Sequence, residues 1–223
     1  MAISLRLKSI AKYAKGFNSL ADIACDHGYL GIYAAKNYGL SEVLLTDINP
    51  MPLASAILNV EKHNLTKIIT CKLGNGLAPL EKDYEVISIS GIGGILLKEI
   101  LAQDLDRCKN AKRLILCPNT DLYEVRKFLS ENMFEIEFEE IVYEYKFYQI
   151  IVAKYVGRPI IYNELELKYG PKLLVNKSKE FLTYYSEQLI FYENQLKHIT
   201  DVSGKDKISS KISEIKTILG NKL

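Results

Sequence analysis

Two β-rich runs, residues 134–143 and 146–156, are separated only by Glu144 and Tyr145. No helix fits in that gap, so the runs pair as an antiparallel hairpin. Upstream the pattern differs. Short apolar runs at 19–25, 42–46, 67–72, 84–89 and 113–117 alternate with helical periodicity at 29–38, 51–63, 95–103 and 121–131. Alternation of this kind builds a parallel sheet with helices on both faces, and the hairpin closes one edge. The predicted fold is α/β, a mostly parallel sheet with an antiparallel edge hairpin.

The flanks are helical. Leu7, Ile10, Ala11 and Ala14 share one face of a helix over residues 3–14. A heptad runs through Leu182, Tyr185, Leu189, Tyr192, Leu196 and Ile199. After a polar break at 200–206 it resumes at Ile208, Ile212, Ile215 and Leu219. Two such helices predict an antiparallel helical hairpin, a coiled coil, with dimerisation through the same seam as the competing arrangement. The expected division is a sheet domain over 1–163 and a helical domain over 164–223, in a monomer.

Charge follows the same division. Arg6, Lys8, Lys12 and Lys15 give residues 1–16 a charge of +4. Ten lysines against seven acids give +3 to residues 166–223, which leaves −5 for the middle of a chain whose net charge is +2. Basic ends around an acidic centre suit phosphate-binding margins beside a cofactor site; solvated helix faces give the same pattern. There is no run of about eighteen apolar residues and no signal-peptide h-region, so a cytoplasmic location without membrane is expected. Cys25, Cys71, Cys108 and Cys117 are scattered, which reads as reduced thiols, and the three histidines are too far apart to hold a metal.

The turn after the first strand, A-D-I-A-C-D-H-G-Y-L-G-I over residues 21–32, is where a doubly wound sheet places a nucleotide-like ligand. It lacks the glycine-rich phosphate loop. Ala24 and Asp26 stand where a dinucleotide fingerprint carries glycine, and the Asp26 carboxylate would repel a pyrophosphate. A cationic cofactor without phosphates fits better, and S-adenosylmethionine is one. Asp47, about twenty residues on at the tip of the second strand, is placed to hold ribose hydroxyls; a helix N-cap is the alternative. Asn75 between Gly74 and Gly76 can approach an adenine ring or simply form a turn. Ser90, Gly91, Ile92, Gly93 and Gly94 follow the fourth strand and leave room for a flat ligand against bare backbone.

Five alternating units closed by a hairpin look like a class I, Rossmann-like methyltransferase and not like a dinucleotide dehydrogenase. The chain resembles one family in particular, the bacterial tRNA methyltransferases that modify N1 of adenine 22. The resemblance is carried by D-I-A-C-D-H-G-Y-L (22–30), D-I-N-P (47–50), G-N-G-L (74–77) and S-G-I-G-G (90–94). P-N (118–119), K-F-Y (146–148) and Y-G-P (169–171) add to it. Ala24-Cys25 stands where Gly-Ser is usual, Gly31 where proline is usual, and Asn75 where an aspartate is usual. An asparagine still accepts through its carbonyl oxygen.

The resemblance implies methyl transfer from S-adenosylmethionine to N1 of adenine 22 in tRNA. It implies a cofactor site of Asp22, Ala24, Cys25, Asp26, Asp47, Ile48, Asn49, Gly74, Asn75, Gly76, Ser90 and Gly91. Asp26, His27, Tyr29 and Asn119 are the implied catalytic residues. Asp26 would stabilise or deprotonate the alkylated base, with the cofactor ammonium as its other possible partner, and Tyr29 would stack on the base or merely pack its helix. His27 as a cap and Asn119 as a turn residue remain open. Arg6, Lys8, Lys12, Lys172, Lys177 and Lys179 are candidate contacts to tRNA phosphates. The competing functions are methyl transfer to another RNA or a small molecule, and a non-catalytic tRNA-binding module.

Overall fold

A computed structural model describes residues 3–220 of the 223. The outermost residues of the two expected domains, 1–2 and 221–223, lie outside the described residues. The chain divides into two compact units, Met1–Lys172 and Leu173–Leu223.

The first unit is built on a seven-stranded sheet. Its strands are β1 (Ser19–Ile23), β2 (Glu42–Asp47), β3 (Ile69–Leu73), β4 (Val86–Ser90), β5 (Arg113–Cys117), β6 (Phe134–Glu144) and β7 (Lys146–Tyr155). The order is β3-β2-β1-β4-β5-β7-β6. The first five strands pair in parallel, whereas β7 runs antiparallel to β5 and β6 antiparallel to β7. The chain reverses through Tyr145 alone, which adopts a left-handed backbone at φ 61°.

Successive strand residues feed two separate cores, as the two-residue strand period requires. Val43 and Leu45 join Leu20, Val86 and Ile115 on one face, under α1 (Leu5–Ala11), α2 (Tyr29–Tyr38) and α3 (Pro50–Lys62). Leu44 joins Ile23, Ile87, Ile89 and Leu116 on the other, under α4 (Gly94–Gln103), α5 (Leu105–Asn110) and α6 (Leu122–Glu131). Helix α2 sits so close to β2 that a Cβ on Gly31 would lie 2.5 Å from Leu45 Cδ2. A larger residue at this position would require the Leu45 side chain to shift.

Some expectations are corrected. The helix expected over 3–14 ends at Ala11 and tightens into a 3₁₀ turn, Lys12–Ala14. Helices α5, α7 (Glu164–Tyr169) and α8 (Pro171–Asn176) were not anticipated, because six residues are too few to show a period.

The second unit contains α9 (Lys179–Leu196) and α10 (Val202–Leu219), packed as a helical hairpin. Its seam begins one residue earlier than the heptad predicts: Phe181 and Tyr185 are buried, whereas Leu182 is 40% exposed. The polar break is also shorter than expected. Asp201 accepts the Gly204 N–H at 2.6 Å and starts α10 at Val202, so the cap overrides the glycine.

Candidate functional site

The carboxyl ends of β1, β2 and β4 open into a cleft of about 590 Å³. It lies where the strand order reverses between β1 and β4, the position at which open α/β sheets bind ligands. All twelve residues expected to bind the cofactor line it. So do Asp26, His27, Tyr29, Asn119 and Arg6.

The turn after β1 carries two non-glycine residues in the left-handed region, Ala24 (φ 55°) and Asp26 (φ 52°). Such residues persist only where the surroundings hold them, and here Asp47 supplies the hold. Its carboxylate accepts the Asp26 N–H at 3.0 Å and the Asn49 N–H at 2.8 Å. It is buried, and it accepts no bond from inside α3. A carboxylate offers about four acceptor positions, so Asp47 can brace both loops and still receive two hydroxyls from the cleft. The N-cap alternative is thereby displaced: Asn49 occupies the N-cap position, also without a side-chain capping bond.

Asp22 lies deeper, at 2% exposure, with Oδ2 lacking any hydrogen-bond partner. Burial, and then the charge of Asp47, push its carboxyl up to about 7 against a backbone hydrogen bond from Gly31. A cation in the cleft would satisfy the orphan oxygen. Burial likewise raises the Cys25 thiol well above its ordinary range, which makes it an inert wall of the site.

At the mouth, the Asp26 side chain is exposed and approaches His27 Nε2 at 3.5 Å. His27 stacks on Tyr29 with ring centroids 5.6 Å apart. Across the opening, Gly91 (φ 83°) presents backbone: its N–H donates to the Cys117 carbonyl and its carbonyl accepts the Asn119 amide at 2.6 Å. Asn119, whose backbone N–H also donates to the Ile92 carbonyl, is thus held in place in the cleft wall. Asn75 is exposed on the loop after β3.

The basic candidates separate. Arg6 lines the cleft; Lys8 and Lys12 do not, and Lys12 is paired with Glu140. Lys172 donates its backbone N–H to Glu139, and Lys177 and Lys179 lie in the second unit, exposed at its start. Lys146 and Tyr148, which the sequence does not mark as site residues, also line the cleft. The K-F-Y segment carried that signal, but only the antiparallel register of β7 on β5 brings it to the mouth.

This donor set fits S-adenosylmethionine: an orphaned buried carboxylate for an ammonium, a second carboxylate with spare acceptors for a ribose, and bare backbone where a flat ring can lie. Among the described residues no group of three or more His, Cys, Asp or Glu is placed to hold a metal, and no helix is long and apolar enough to cross a membrane.

The chain is similar to known proteins over nearly its whole length. The family described as tRNA (adenine(22)-N(1))-methyltransferase matches residues 20–221. A Bacillus subtilis (strain 168) protein of that description is 30% identical over 221 residues, spanning 96% of this chain and 93% of its own. A Streptococcus pneumoniae structure in complex with S-adenosyl-L-methionine superposes with a TM-score of 0.89 at 31% identity. It covers 98% of this chain and 100% of that one. M. capricolum TrmK, in complex with the cofactor product S-adenosyl-homocysteine, gives a TM-score of 0.87 at 28% identity, with 99% of each chain covered.

Proposed function

This chain belongs to the tRNA (adenine(22)-N(1))-methyltransferase family, and we propose that it transfers the methyl group of S-adenosyl-L-methionine to N1 of adenine 22 in tRNA. The observation that carries this reading is a single cleft with two buried carboxylates at its floor and the Asp26–His27–Tyr29 group at its mouth.

When bound, the cofactor supplies an electrophilic methyl group on a sulfonium sulfur. Asp22 holds the cofactor's ammonium and Asp47 its ribose hydroxyls, while Ile48, Asn75 and the backbone at Gly74 and Gly76 bound the adenine. Adenine N1 already carries a lone pair, so no base is needed to create the nucleophile. The main task of the protein is to align two reactants, which can supply about 7–11 kcal/mol of the barrier reduction. Alkylation at N1 places positive charge on the ring. The exposed Asp26 carboxylate, beside His27, stabilises that charge or accepts a proton from the exocyclic amine. Tyr29, stacked on His27, receives a base that has left its pair, and Asn119 hydrogen-bonds it from the opposite wall.

In this reading residues 1–163 perform the chemistry in the cytoplasm as a monomer, and the helical residues 164–223 help to dock the tRNA. The purified protein is incubated with radiolabelled cofactor and two tRNA transcripts, one with adenine and one with guanine at position 22. Label recovered as 1-methyladenosine from the adenine transcript alone supports the reading. Label in both transcripts moves the site, and label in neither, with cofactor binding intact, discards the substrate.

A further inference from the structure

We infer that Arg6 and Lys146, braced on the ring of Tyr148, form a seat for a backbone phosphate of the RNA strand that carries the target adenine. This rests on the function proposed above and adds to it a positioning pair at the mouth of the cleft.

The pair is assembled from distant parts of the chain. Arg6 comes from α1 and Lys146 from the first position of β7, yet both lie against one aromatic ring. The Arg6 guanidinium carbon is 4.8 Å and Lys146 Nζ 4.9 Å from the Tyr148 ring centroid. All three line the cleft. A Cβ built on Gly91 would stand 3.7 Å from Arg6 Nη1, which puts the guanidinium directly beside that exposed backbone. The charge of both side chains is also felt at Cys117, at the end of β5, against that of Glu140, which is paired with Lys12.

What distinguishes these two cations is the company they keep. Elsewhere in the first unit, Lys12, Lys98, Arg113 and Arg126 are paired with glutamates, and other cations such as Lys8 and Lys15 do not line the cleft. Arg6 and Lys146 have only the ring, with no carboxylate partner among the described residues. A carboxylate would consume their N–H donors and cancel their charge. An aromatic face holds a cation in place and leaves its donors directed outward. Two cations held on one ring, with no carboxylate bonded to either among the described residues, form a receptor for an anion. The acids of the cleft, Asp22, Asp26 and Asp47, come from β1, the turn after it and β2, whereas Arg6 and Lys146 stand beside Gly91 after β4 and Tyr148 of β7. A target base that enters between these two groups brings its flanking phosphates to the rim, and the basic pair stands there to meet one.

The test uses the full chain with Arg6→Gln, Lys146→Gln and both together. Each variant is titrated with the adenine-22 transcript across a salt series, and separately with S-adenosyl-L-methionine. Each single substitution is expected to flatten the slope of log affinity against log salt by about one, and the double by about two. At fixed salt, KM for tRNA rises several-fold more than kcat falls. Cofactor affinity stays within about two-fold, which also establishes that the variants are folded. Arg6→Lys and Lys146→Arg, which keep the charge, restore the slope. Unchanged slopes in cofactor-binding variants would overturn the seat. So would lost cofactor affinity with unchanged slopes, since the cations would then serve the cofactor's carboxylate. If wild type methylates the transcript while the slopes do not move, only the seat falls. If wild type binds cofactor but leaves that transcript untouched, both readings fall.

Discussion

Two buried charged clusters in the first unit are built in opposite ways. Arg126 and Glu139 both have fully buried side chains, and their hydrogen bonds end inside the protein. Arg126 donates to Glu139 at 2.7 Å, to Gln149 at 2.7 Å and to the carbonyls of Leu167 and Lys168 at the end of α7. Glu139 also accepts the Lys172 N–H. Asp22 and Asp47 are nearly as buried but incompletely satisfied, with an orphan oxygen on Asp22 and spare acceptor positions on Asp47, and both residues line the cleft. A buried charge whose bonds all close within the protein fastens structure; one left open toward a cavity is kept for a ligand.

That contrast is broken or sharpened most strongly at Arg126. Arg126→Ala leaves Glu139 buried without its partner, and severing a buried pair in this way costs about 3–5 kcal/mol. Denaturant unfolding should show a loss of that size, while the protein that remains folded binds the cofactor as wild type does. A matching fall in cofactor affinity would mean that the cluster also serves the site. Asp47→Ala should behave in the reverse manner. A hydrogen bond to a charged group contributes about 1.5–3 kcal/mol, so cofactor affinity should fall roughly 10–100-fold. Stability should fall less than in Arg126→Ala. A larger loss of stability than of binding would make Asp47 chiefly the brace of its two loops.

The same contrast explains what was legible in the sequence. The alternation of strands and helices fixed the parallel sheet, because each element buries a face and writes its period into the chain. The loops after β1, β2, β3 and β4 could be placed at the cleft because they follow strand ends in any doubly wound sheet. Arg126 could not be recognised, since an arginine in a helix reads as solvated until the hairpin is folded over it. Lys146 and Tyr148 were missed as site residues for a related reason. They reach the mouth only through the pairing of Leu116 with Ile151, a register that no local pattern records. The N-cap of α10 was legible in Asp201, yet Gly204 argued locally for a break and hid it.

The smallest expected effect separates the two floor carboxylates. Burial raises Asp22 from 3.8 to about 7, so the folded protein holds that proton more tightly than the unfolded chain does. Stability of the free protein should therefore decline as pH rises from 3.8 to about 7 and be flat above, where Asp22 is ionised in both states. Cofactor binding runs in the opposite direction. An ammonium favours the ionised carboxylate, so affinity should increase with pH up to about 7, by no more than tenfold per unit, and then level off. The amino group of the cofactor itself titrates near ~8, so measurements between about pH 5.5 and 7 isolate the carboxyl. Asp22→Asn cannot ionise and should lose both slopes together. Calorimetric titration of wild type and variant at two pH values in that window decides the matter. A flat profile in wild type would mean that the ammonium does not meet Asp22, and would leave the exposed Asp26, the nearest remaining acid at the mouth, as its partner.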